Sequence, residues 1–191
     1  MPAAHDVLRD DPDLGPLVEE HGELALDPAD DPFERLVVSI VRQQVSMDAA
    51  AAIQGRLFDS VEMTPESVAS ADTEVLRDAG LSTQKVRYVR NVAEAFREHG
   101  YDRAYFADRS DDDVRDELTE ITGVGNWTAE MFLMFGLGRE DVFPVGDLGI
   151  RKGMQLLFEE NLTRAKMRDI ATRWQPYRSY ASLYVWRAYE G

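Results

Sequence analysis

The chain has 191 residues, 44% hydrophobic and 30% charged, with 36 acidic against 21 basic side chains and a formal net charge of −15. That length allows one sizeable core or two small lobes. The lack of cysteine excludes disulfides, thiolate zinc sites, a cysteine nucleophile and cysteine-ligated iron–sulfur clusters.

No apolar run approaches the ~20 residues of a membrane span. The N-terminal MPAAHDVLRDDPDLG has no basic-then-apolar pattern of a signal peptide. The expectation is a soluble cytoplasmic protein with no membrane association. The acid excess and the scarcity of lysine (Lys85, Lys152 and Lys166 only) point to a halophile, since a strongly acidic surface stays solvated where salt screens its self-repulsion. His5, His21 and His99 are scattered and read as surface residues rather than metal ligands. The charge is uneven: residues 1–34 hold eleven acids and one base, Arg9, whereas residues 151–191 hold eight bases and four acids. Net acidity argues against nucleic-acid binding; the basic C-terminal fifth reopens it.

In chain order, residues 1–31 are rich in Asp and Pro and read as a short helix and loops. From Pro32, PFERLVVSIVRQQVS places Phe33, Leu36, Val37, Ile40, Val41 and Val45 at helical spacing. An Ala-rich helix follows near DAAAAIQGRLFDSV. TPESVAS has Thr64 as N-cap, Pro65 at the first helical position and Glu66 in the first turn. DTEVLRDAG ends at Gly80, and Ser82 caps a helix that closes at Gly100. DDDVRDELTEI then leads into two glycines, followed by NWTAEMFLMFGLG, the loop DVFPVGD, and three more helical stretches: LGIRKGMQLLFEE, TRAKMRDIATRW and YRSYASLYVWRAY. No alternating strand pattern stands out. The expected fold class is all-α, with about ten helices and short connectors.

LTEITGVGNWTA reads as helix, tight turn, helix. Gly123 and Gly125 allow backbone angles that other residues avoid, and the turn feeds a helix N-terminus where N–H groups lack internal partners and the dipole is positive. Such a turn can bind phosphate through backbone alone. A glycine-rich link between packed helices has the same sequence signature, so the residues by themselves leave both readings open. Asp147 is equally open: an Asp before a helical run is a natural N-cap.

LTEITGVGNWTA with FPVGD downstream resembles the helix-hairpin-helix superfamily of DNA base-excision glycosylases. RQQVS, GLSTQKVRYV and RWQPYRSYASLYVWRAYEG resemble its DNA-3-methyladenine glycosylase II type, the whole set spanning about residues 32–191. The resemblance implies two helical lobes around a DNA-binding cleft: residues 32–139 with the hairpin at 119–127, and residues 1–31 plus 140–191 carrying the catalytic Asp loop. DNA would lie across the cleft with Trp127 and Asp147 facing each other.

It further implies a monofunctional N-glycosylase that flips alkylated purines, 3-methyladenine and 7-methylguanine, out of double-stranded DNA. Asp147 matches the catalytic Asp. Trp127 matches the residue against the flipped base, where lyase branches carry a Schiff-base lysine, and Met131 lies one turn on as a softer wall than the aromatic residue of some relatives. Gln43 and Gln44 match stack-filling positions. Gly123, Val124, Gly125 and Thr128 form the DNA-phosphate hairpin. Carbonyls of Thr119, Ile121 and Val124 would hold a monovalent cation, with no cofactor for catalysis. Arg178 and Ser179 read as structural, Arg178 pairing a carboxylate and bracing the Asp147 loop, with a phosphate contact as the alternative. Trp174, Tyr180, Tyr184 and Trp186 fall at helical spacings and read as core rather than site. The expected protein is a monomer. A glycosylase for deaminated, oxidised or mismatched bases, and a non-catalytic DNA-binding hairpin module, are the two alternatives.

Overall fold

The computed structural model describes residues 3–159 and 161–191, and among these the chain is all-α: thirteen α-helices, one 3-10 turn and no strand. It divides into two compact units, Pro28–Leu137 and Met1–Asp27 with Gly138–Gly191.

The first unit holds α3 (Pro32–Arg42), α4 (Met47–Ser60), α5 (Pro65–Ser70), α6 (Thr73–Asp78), α7 (Thr83–His99), α8 (Arg103–Ala107), α9 (Asp111–Thr119) and α10 (Asn126–Phe135). Local chemistry sets the starts of these helices. Asp31, Ser46, Thr64, Ser82, Asp102 and Ser110 each stand at an N-cap and accept a backbone N–H of the first turn, an arrangement worth roughly 0.5–2 kcal/mol apiece. Asp102 explains the five-residue α8, which is too short to display a helical period: its carboxylate accepts from Tyr105 N at 2.7 Å. The core lies where α3, α7 and α10 pack together. Leu36, Val37, Ile40 and Val41 are fully buried, as are Val89, Val92, Ala93 and Phe132. Burial of each large aliphatic side chain contributes about 1.5–3 kcal/mol. Aromatic rings seal the interior edge-to-face, Phe33 on Phe96 at 5.2 Å and Phe106 on Phe132 at 5.4 Å.

The second unit holds α1 (Ala4–Arg9), α2 (Gly15–His21), α11 (Leu148–Leu157), α12 (Arg164–Ala171), a 3-10 turn (Thr172–Trp174) and α13 (Arg178–Glu190). The N-terminal segment thus forms two short helices rather than one, and with α8 this accounts for a helix count above the expected ten. Trp174 is fully buried and donates its indole N–H to Asp11 at 3.0 Å, while Arg173 pairs with Asp11 at 2.9 Å and Asp13 at 2.5 Å. The hydroxyl of buried Tyr184 donates to Gly22 O at 2.8 Å and accepts from Leu24 N at 3.2 Å. These bonds sew the acidic N-terminus to the end of the chain. Lys152, Arg164, Lys166 and Arg168 on α11 and α12 are solvent-exposed, which localises the positive charge of this acidic protein.

Helices α11 and α13 pack with Gly153 at the contact. A Cβ there would lie 2.1 Å from Val185 O and 2.7 Å from Val185 Cγ1. Gly153→Ala should therefore destabilise the protein by about 1–3 kcal/mol, because the strain of separating two backbones outweighs the roughly 0.5–1 kcal/mol gained from helix propensity. Urea unfolding of wild type and variant measures it; equal stability would contradict so close an approach.

Candidate active site

The hairpin is built by three helices of the first unit. α9 ends at Thr119, Gly123 turns the chain at φ +113°, and Gly125, in extended conformation, precedes α10. The two glycines serve different ends. A Cβ on Gly123 would lie 2.3 Å from Cγ of Tyr88, so the Tyr88 ring from α7 rests on the turn. A Cβ on Gly125 would meet nothing within 4 Å. The first turn of α10 carries no acidic residue, its N-cap Gly125 makes no side-chain cap hydrogen bond, and the helix dipole is positive at this end.

A polar stripe on α7 braces this turn. Lys85 Nζ donates to Val41 O at 2.6 Å, and Asn91 Nδ2 donates to Thr122 O at 2.9 Å, with Tyr88 between them. Burial lowers the Lys85 ammonium pKa from its ordinary value. Neither Tyr88 nor Asn91 was marked by the sequence as functional. Their spacing on one helix face is visible in GLSTQKVRYVRN, but their target is not.

Gln43 Nε2 donates to Gly123 O and to Thr128 Oγ1, both at 3.0 Å, so its amide braces the hairpin. Gln44 is exposed, at φ +55°. Thr128 is 2% exposed and its hydroxyl faces Gln43, which removes its side chain from the phosphate-contacting set. Val124 is buried and could contact phosphate only through backbone. Trp127 is half-buried and Met131, one turn later, is buried.

Around the turn, Thr122 O and Gly123 O accept protein donors, and Ile121 O accepts from Val124 N at 2.9 Å. No group of three or more His, Cys, Asp or Glu able to hold a metal occurs among the described residues.

In the second unit, Phe143-Pro144-Val145-Gly146-Asp147 forms a tight loop, with Asp147 N donating to Pro144 O at 2.9 Å. Asp147 is the N-cap of α11: its Oδ1 accepts from Ile150 N at 3.0 Å. The same oxygen accepts the indole N–H of Trp186 at 2.8 Å. Trp186 is half-buried against the core of the unit, so the core reading captures its ring and misses its polar edge. The base of the loop is clamped by α13. Arg178 binds Asp141 bidentately, Nε to Oδ1 at 2.7 Å and Nη2 to Oδ2 at 3.0 Å. Fully buried Ser179 donates to Arg139 O at 2.6 Å and accepts from Val142 N at 2.9 Å. Such a charge-assisted fork holds direction as well as distance. The result is a carboxylate of fixed orientation at the end of a rigid loop, able to stabilise developing positive charge or to orient water.

The family model for HhH-GPD superfamily base excision DNA repair proteins matches residues 37–176. The chain is 30% identical over 188 residues to the putative DNA-3-methyladenine glycosylase YfjP of Bacillus subtilis, covering 93% of this chain and 66% of that protein's length. It is 34% identical over 165 residues to DNA-3-methyladenine glycosylase 1 of Schizosaccharomyces pombe, covering 82% and 72%. The crystal structure of an S. pombe 3-methyladenine DNA glycosylase, Mag1, in complex with abasic DNA superposes with a TM-score of 0.89 at 29% identity, over 96% of this chain and 95% of that one.

The glycine geometry separates two substitutions. Gly123→Ala should cost about 2–4 kcal/mol, because it combines a left-handed backbone with displacement of Tyr88. Gly125→Ala should stay within about 0.5 kcal/mol of wild type. Thermal or urea unfolding of the two variants side by side checks this; equal losses would contradict it.

Proposed function

The chain belongs to the HhH-GPD superfamily of base excision DNA repair proteins, and on that premise we propose that it is a monofunctional DNA N-glycosylase excising alkylated purines, chiefly 3-methyladenine and 7-methylguanine. The observation that carries the reading is the Asp147 carboxylate, anchored through Oδ1 at the end of the Pro-Gly loop. A base inside a duplex is out of reach, so its nucleotide is flipped out of the stack. The N-glycosidic bond then breaks with positive charge developing on the sugar, as in glycoside hydrolysis. A fixed anion beside that charge lowers the barrier and orients the attacking water.

Trp127 supplies an indole face, which attracts a cationic methylated purine more than a neutral base, and Met131 packs one turn behind it. Purines methylated at N3 or N7 leave without protonation. Because position 127 holds no lysine, no Schiff base forms with the sugar and the strand stays uncut. Gly123, Val124 and Gly125 offer phosphate the backbone amides ahead of α10, Thr128 contributing only through its contact with Gln43. Carbonyls of Thr119, Ile121 and Val124 hold a monovalent cation there, and catalysis itself uses no cofactor. Gln44 fills the gap in the stack. The partner is double-stranded DNA with alkylated bases, and the protein acts as a monomer in the cytoplasm of a halophile. The net charge of −15 supports the last point, and no described helix is long and apolar enough to cross a membrane.

Chromatography of free bases released from methylated duplex DNA tests the reading. Wild type should release 3-methyladenine and 7-methylguanine and leave the strand intact. Asp147→Asn should retain DNA binding and excise at least about 100-fold more slowly, within the range general acid–base catalysis contributes. Undiminished excision by Asp147→Asn, or strand cleavage by wild type, would contradict it.

A further inference from the structure

Asp147 is held by more than a helix cap needs. The backbone N–H of Ile150, at 3.0 Å from Oδ1, completes the cap. A carboxylate with one donor can still pivot about that bond. The indole N–H of Trp186 reaches the same oxygen from a second helix, α13, at 2.8 Å and across 39 positions of sequence. Indole N–H is a donor only, so this contact requires an acceptor at position 147. Two donors arriving from different helices fix both the position of Oδ1 and the plane of the carboxylate.

Gly149 makes room for that contact. A Cβ at Gly149 would lie 2.7 Å from Trp186 Cδ1, 3.0 Å from Trp186 Nε1 and 3.1 Å from Asp147 Oδ1. All three are atoms of the contact or its ring. Glycine in the first turn of a helix lowers helix propensity, and its φ is not in the left-handed region here, so backbone conformation does not demand it. The clearance for the indole does.

We infer that Trp186 is a positioning residue for Asp147: its indole N–H, admitted by the bare backbone at Gly149, locks Oδ1 and sets the carboxylate plane for the developing cation on the sugar. This role rests on the glycosylase reading of Asp147. The ring of Trp186 packs against the core of the unit, while its N–H reaches Asp147.

The test uses the full chain with Trp186→Phe, which keeps a ring and deletes the donor, and Gly149→Ala, which keeps the donor but displaces it. Single-turnover release of 7-methylguanine is measured with each, along with affinity for the same duplex. Both variants should lose about 10–100-fold in maximal rate, the range seen when a partner that orients an active ligand is removed. Their DNA affinity should stay within about twofold, the pattern of an interaction used only in the transition state. In ¹⁵N-labelled protein without DNA, one indole N–H resonance, absent in Trp186→Phe, should shift on Asp147→Ala while the other two indole resonances hold. Wild-type rates in both variants, with wild type active, would overturn the positioning role and leave the glycosylase intact. So would weaker DNA binding at unchanged maximal rate. An inactive wild type would overturn the glycosylase reading and this role with it, whatever the resonance does.

Discussion

The hydrogen bonds converging on Oδ1 of Asp147 order the C-terminal unit. The oxygen starts α11 through Ile150 N and tethers α13 through Trp186. For both to reach one atom, α11 and α13 must approach closely, and Gly149 and Gly153 supply the missing volume along α11. The loop that delivers Asp147 is fixed at its base by Arg178 and Ser179 from the same α13. A single helix therefore holds both ends of the loop and the carboxylate that terminates it. Buried Trp174 and Tyr184 then tie this assembly to the N-terminal segment, so that distant parts of the chain share one core.

The hairpin in the other unit meets a different constraint. A protein of net charge −15 repels a polyanion at long range. On the proposed function, binding through backbone N–H groups would need no lysine at the contact, and the first turn of α10 carries no acidic residue. The turn is braced by Tyr88 and Asn91 on α7 and by Gln43 at the end of α3. Gly125 is left clear. Lys152, Arg164, Lys166 and Arg168 are exposed bases of the second unit.

What could be read in the sequence was what is local. Helix caps at Thr64 and Ser82, the glycine turn and the Pro-Gly loop ending in Asp147 all follow from neighbouring residues. The reading of Asp147 as a cap is what the structure shows, through Oδ1 and Ile150 N. Long-range partners were not legible. Gln43 and Thr128 are 85 positions apart, and nothing in RQQVS signals that the first glutamine turns inward while the second sits at positive φ. Trp186 lies in an apolar helical run and so looked like core. Its polar edge is decided by where α13 passes α11, and the bare Gly149 was the one hint in the sequence. The short α8 escaped because five residues are too few to display a period.

The central claim is that a fixed carboxylate at position 147 complements a cationic sugar. The most direct measurement is the affinity for duplex DNA carrying a positively charged pyrrolidine in place of the deoxyribose, compared with the same duplex carrying a neutral tetrahydrofuran, in wild type and Asp147→Asn. Wild type should prefer the cationic analogue by at least about tenfold, as expected of a site complementary to its transition state, and Asp147→Asn should lose that preference while binding the neutral duplex as before. Equal preference in the two proteins would contradict the account.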